Sequence, residues 1–173
     1  MFSTPESAAM AVVHKAPPQM PMAVARAAIV FCVAVAPPAV FQLLLALGAP
    51  WGALTMGGIN PGQLPPAMRL NAVLSALILC GTALVVCVRA GLVLPGRQDA
   101  VRRSIWAVVL FCVLEVVLHV LTPSYWERVL WLPCVSIMLV ASSYVAKGTM
   151  RRAVDGGHEA QAEPAGPGYV QVH

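Results

Sequence analysis

Apolar residues in this chain gather into four long runs, each bounded by arginines, prolines or a turn, with no short alternation of apolar and polar positions. Residues 27–47 give 21 positions without a charge, and residues 70–88 give 19 more between Arg69 and Arg89. At about 1.5 Å per residue, either run crosses a hydrocarbon core of about 30 Å. Residues 104–121 and 129–146 supply two further runs of membrane length. The pattern predicts an all-α protein: a membrane bundle of four transmembrane helices over 27–47, 70–88, 104–121 and 129–146. Residues 1–26, rich in Pro, Ala, Ser and Met, read as a disordered leader, and residues 147–173, rich in Gly, Ala and Pro with mixed charge, as a disordered tail.

The first run competes with a cleavable signal peptide, because Ala46 and Gly48 have the small-residue spacing of a cleavage site. Its length and the Pro37-Pro38 pair favour a kinked spanning helix instead. Between the first two runs, Gly48 to Arg69 holds four prolines and five glycines in 22 positions, which excludes a continuous helix. Irregular backbone facing lipid leaves N–H and C=O groups unsatisfied, so this loop lies outside the hydrocarbon or against the helices beside it. In the second run, Ala72, Ala76, Cys80, Ala83 and Cys87 recur at helical spacing, predicting a small-residue stripe for close packing.

Composition agrees with a bilayer. Hydrophobic residues make up 59% of the chain and charged residues 10%, against about a quarter charged in soluble domains. The net charge of +4 does not point to nucleic acid, because the cations sit at the ends of apolar runs. Lys15 and Arg26 precede the first run, Arg89, Arg97, Arg102 and Arg103 surround the second connection, and Lys147, Arg151 and Arg152 follow the fourth; only Arg69 and Arg128 fall on the opposite side. The positive-inside bias therefore places both termini in the cytoplasm, with the Gly/Pro-rich loop outside. Trp51, Tyr125, Trp126 and Trp131 then form an outer aromatic belt, and Trp106 and Tyr144 an inner one.

Candidate chemistry is sparse. Cys32, Cys80, Cys87, Cys112 and Cys134 all lie in apolar runs without metal-ligand or disulfide-framework spacing, and read as packing residues. Gly57 to Gly62 lacks the strand and the Lys-Ser/Thr of a P-loop, and a bis-histidine haem would require a second intramembrane histidine besides His119. No nucleophile with a base and an orienting acid can be assembled, so no catalytic residue, metal or cofactor is expected. Charge inside a span occurs once, at Glu115, with His119 four residues on and thus on the same helical face. Glu115 lies 11 residues into its run, or about 16 Å deep, where a carboxyl costs roughly 2.5–3.5 kcal/mol on insertion scales. A Glu/His pair one turn apart suits proton relay; the bland alternative is a neutral carboxyl, or one paired with His119 or Arg69, that ties helices together. Gln42, Arg69, Asn71, Glu127 and Arg128 project into the same half of the bundle and outline a polar cluster under the loop.

Gly48-Ala49-Pro50-Trp51-Gly52, then Gly57-Gly58, Leu64-Pro65 and Arg69, with Arg89-Ala90-Gly91 after the second run, form one spaced motif. Thr122-x-Ser124-x-x-Glu127-Arg128-x-x-Trp131-x-Pro133 forms another. Together they resemble the outer motifs of a group of small bacterial four-helix membrane proteins that are themselves uncharacterised. The resemblance covers residues 27–146, implies four helices, and supplies no catalytic residues. The expected role is a structural or accessory component of the inner membrane, not an enzyme, with lipid and either a second copy or another membrane protein as partner. The alternative is a small oligomeric proton-coupled transporter using Glu115.

Overall fold

The computed structural model describes residues 21–162, which fold into four helices: α1 (Met22–Ala46), α2 (Pro66–Arg89), α3 (Ser104–Leu121) and α4 (Tyr125–Ala162). No strand occurs among the described residues. Each helix contains a segment of spanning length, with mean hydropathy between 1.9 and 2.4. Only 17% to 39% of the residues in those segments are buried inside the protein. The remaining apolar surface faces outward on every helix, an arrangement that lipid accommodates and water does not. Length, hydropathy and outward apolar surface together fit a multi-pass membrane protein.

Helix boundaries depart from the sequence expectation where local chemistry overrides the apolar pattern. Pro66 opens α2 at its first position, where the fixed φ is pre-organised and the missing N–H is not needed. Residues 66–69, expected in the loop, are thus the first turn of α2. α1 starts at Met22, before the expected 27, and α4 starts at Tyr125, before the expected 129. α4 also continues past 146 to Ala162, so residues 147–162, expected as disordered tail, are helical. Apolar periodicity reports burial; polar helix formers such as Glu159 and Gln161 extend a helix without it. The rest of the expected leader and tail, residues 1–20 and 163–173, lies outside the described residues.

α1 packs along both α2 and α4, and α3 packs on α4, while α2 and α3 touch only sparsely. The order around the bundle is α2, α1, α4, α3, with a loose seam between the last and the first. Two apolar clusters fill it. The larger, toward the Arg89 end, centres on Ala28, Phe31, Val86, Ile105, Cys112, Met138 and Val145. The smaller, beneath the Gly/Pro-rich loop, comprises Phe41, Leu45, Leu64, Ala72 and Trp131. The small-residue stripe of α2 is only partly buried: Ala72 and Ala76 face inward, but Cys80 is exposed, and Leu79, Thr82 and Val86 continue the inward face. At 3.6 residues per turn, two successive four-residue steps from Ala72 carry the third expected position, Cys80, off the contact line. The five cysteines are free, with Cys32 and Cys87 facing each other across α1 and α2 at 3.3 Å between sulfurs.

Arg89, read from sequence as a topology marker, is 5% exposed. Its Nε donates to Thr149 Oγ1 at 3.1 Å and its Nη1 to the Gln98 carbonyl at 2.8 Å. One guanidinium thereby joins the end of α2, the following connection and α4. At the opposite end, residues 47–65 form the Gly/Pro-rich loop with two single 3-10 turns, Gly52–Leu54 and Met56–Gly58. The loop closes on itself where the Gly52 amide donates to the Gly62 carbonyl at 2.9 Å. A Cβ at Gly52 would stand 2.1 Å from the Asn60 carbonyl oxygen and 2.9 Å from that of Gly62, so this crossing admits only glycine.

Gly52→Ala is expected to lower stability by about 1–3 kcal/mol, the usual range for forcing atoms into packed structure. Gly81→Ala in α2, with nothing within 4 Å of the added carbon, is expected to raise the unfolding midpoint through helix propensity. Thermal unfolding of both variants in detergent checks the pair; equal midpoints would show that the loop crossing carries no stability.

Candidate functional site

The loop is held to the bundle by side chains from α4 and α2 that complete its backbone hydrogen bonds. Ser124 caps α4, its Oγ accepting from the Glu127 amide at 3.4 Å, and Glu127 stands at the third helical position. This is the Ser-x-x-Glu spacing of a capping box, in which the glutamate turns back to the cap residue's own amide. Glu127 instead accepts from the Gly57 amide at 2.8 Å and from Thr122 Oγ1 at 3.2 Å, both through Oε2. Gly57 has φ +73°, which presents its amide at little steric cost. One turn further on, Trp131 Nε1 donates to the Leu54 carbonyl at 3.0 Å. The Phe41 ring meets Trp131 at 4.6 Å between centroids and stacks on Trp51 at 6.2 Å. Trp131 is therefore an interior anchor, only 8% exposed, and leaves the outer belt in which the sequence placed it. Trp51, Tyr125 and Trp126 are exposed.

Beneath this cap, between the two apolar clusters, lies a cavity of about 370 Å³. α1 contributes Pro38, Phe41 and Gln42; the loop contributes Thr55 and Met56; α2 contributes Asn71, Ser75 and Ile78. α3 contributes Phe111, Glu115, Leu118 and His119, and α4 contributes Glu127 and Trp131, with Leu79, Cys112 and Met138 forming the floor. Of the seven residues of the expected polar cluster, Gln42, Asn71, Glu115, His119 and Glu127 converge on this space.

Arg69 and Arg128 do not line it. Arg69 Nε donates to the Leu64 carbonyl at 2.8 Å and its guanidinium reaches Gln63 Oε1 at 3.2 Å. Arg128 donates to the Thr122 carbonyl at 2.7 Å. Both guanidinia serve loop carbonyls that no helix satisfies, so the expected pairing of Glu115 with Arg69 is not made. The loop motif divides in the same way. Gly52, Gly57 and Gly58 shape the cap, Trp51 stacks on Phe41 of α1, Pro65 precedes the first turn of α2, and Pro50 is simply exposed.

The cavity has more acceptors than partners. His119 Nδ1 donates to the Glu115 main-chain carbonyl at 2.8 Å and stands 3.6 Å from the Glu115 carboxylate. Its proton is therefore directed to the backbone, and no side chain among the described residues donates a hydrogen bond to the Glu115 carboxylate. Gln42 Oε1 is buried without a hydrogen-bond partner. Glu127 uses only Oε2. Among the described residues no three His, Cys, Asp or Glu side chains converge as a metal-binding group. Sequence reasoning missed Thr55, Ser75 and Trp131, because neutral side chains inside apolar runs or loops carry no charge signal.

No family model matches the chain, and no curated protein and no solved structure is similar to it at a significant level.

Glu127→Ala is expected to release the Gly57 amide. A hydrogen bond to a charged group contributes about 1.5–3 kcal/mol, so amide exchange across residues 52–58 should accelerate by roughly ten- to a hundredfold. Hydrogen-exchange mass spectrometry of the parent and variant checks this, and unchanged exchange would place the loop's restraint elsewhere.

Proposed function

We propose that this chain is a multi-pass inner-membrane protein that binds a small solute in its capped cavity, with Glu115 as the carboxyl that responds to it. The observation that carries the reading is a cavity within the bundle, lined by all four helices and mostly apolar, in which that carboxylate accepts no hydrogen bond from the described residues. A volume of about 370 Å³ falls within the range of small-molecule sites, about 300–1,000 Å³. An ionisable group at membrane depth is expensive to keep, which supports a use beyond folding. The arginine distribution puts both termini and the 90–103 connection in the cytoplasm, and the capped end of the cavity outside. Four helices alone seldom surround a full translocation path, so transport would run through a homo-oligomer.

The structural or accessory role is the second reading. It is favoured by Leu47 and Ile59, 83% and 78% exposed at the capped end, which offer a membrane partner an apolar contact beside a restrained loop.

Glu115→Gln separates the two. Glutamine keeps the shape and removes the charge, so a carboxylate without donors predicts a thermal midpoint in nanodiscs equal to or above that of the parent. A marked loss of stability would mean that the charge is paired and structural, and would leave the scaffold role standing.

A further inference from the structure

The cavity's rim and its charge balance together specify what it accepts. We infer that it is a site for an amphipathic organic cation, a protonated amine with an apolar body, which enters sideways from the bilayer between α2 and α3. This rests on the solute-binding reading above and adds the chemical class and the route.

The ligand class follows from the distribution of donors and acceptors. Two carboxylates, Glu115 and Glu127, face the cavity, and among the described residues no lysine or arginine does. The two arginines of this half are held by the Leu64 and Thr122 carbonyls. The Glu115 carboxylate and the second oxygen of Glu127 thus accept no hydrogen bond from the described residues. An ammonium group has donors and no acceptor, which complements that set. A bare divalent ion is served less well, since no three ligating side chains converge. Much of the wall is apolar, with Phe41, Ile78, Phe111, Leu118, Trp131 and Met138 suiting an apolar body and, at the aromatic rings, a cation.

The route follows from helix packing. α2 and α3 are the neighbours that touch least. Ile78 on α2 and Leu118 on α3 line the cavity yet are 51% and 60% exposed, and Asn71 on α2 is exposed as well. The mouth therefore opens along the seam, at a level of the bundle that faces lipid. The opposite end is closed by the loop, whose backbone is tied to Glu127 and Trp131.

The test uses the full chain in nanodiscs of zwitterionic phosphatidylcholine, so that cations do not gather at a charged surface, and three probes of one shape: phenethylammonium, 2-phenylethanol and phenylacetate. Tryptophan fluorescence, with Trp131 in the wall, reads binding. Phenethylammonium is expected to bind saturably and about tenfold or more tighter than the alcohol, with no saturable binding of phenylacetate. Glu115→Gln should abolish that preference and leave the alcohol unchanged. Equal binding of ammonium and alcohol would overturn the cation class while the solute-binding reading stands. Saturation by none of the three would overturn both. A measurement on the parent protein covers a poorly folding variant: phenethylammonium, but not 2-phenylethanol, should slow dicyclohexylcarbodiimide labelling of Glu115 by about tenfold. Equal slowing by both would again overturn the cation class.

Discussion

Backbone that leaves the helix next to hydrocarbon must find partners for every N–H and C=O, and in this protein side chains of the helices supply them. Residues 47–65 form no continuous helix, and they lie over the end of the bundle. Glu127 takes the Gly57 amide, Trp131 takes the Leu54 carbonyl, Arg69 takes the Leu64 carbonyl, and Gly52 and Gly62 pair across the loop. Each contact links the loop to α2, to α4 or to itself, so the loop becomes a fixed lid. Its Leu64 is 1% exposed and closes a small apolar cluster of its own. The cavity exists because that cluster is separate from the main core and the polar faces of the helices fall between them.

The same requirement explains the roles of the charged residues. Arg69, Arg128 and Arg89 all look like topology markers in the sequence, yet each donates to a main-chain carbonyl that a turn has left free. Guanidinium suits this work because its several donors reach different groups at once. At the other end of the molecule Arg89 is paired with an Asp99 that is 98% exposed, at 3.6 Å. Such a pair contributes little through charge, so its hydrogen bonds to Gln98 and Thr149 account better for the burial. Arginines engaged with carbonyls leave the cavity without a guanidinium among the described residues, a by-product of how the loops are tied down.

The four spans were legible in the sequence because apolar length is a direct consequence of bilayer thickness, and α3 matches its expected bounds of 104–121. The polar cluster was legible in part. Gln42, Asn71, Glu115, His119 and Glu127 share one level of the bundle, and charge or amide chemistry marks each of them. Arg69 and Arg128 share that level as well, but side-chain direction depends on which carbonyls the turns expose, and sequence spacing does not encode that. Trp131 reads equally well as an interface aromatic or an interior one, and only the Leu54 carbonyl above it decides. The length of α4 was hidden for another reason: polar helix formers leave no apolar period to detect.

Two glutamates at one cavity illustrate how environment divides identical groups. Glu127 sits in the first turn of α4, where the helix N-terminus favours a negative charge, and it has an amide and a hydroxyl as donors. Glu115 sits nearly two turns before the end of α3, and its nearest partner, His119, points its proton at the backbone. One carboxylate therefore serves as a fastener for the loop. The other has no donor among the described side chains. The loose α2–α3 seam beside it is the part of the bundle with the least packing between neighbouring helices.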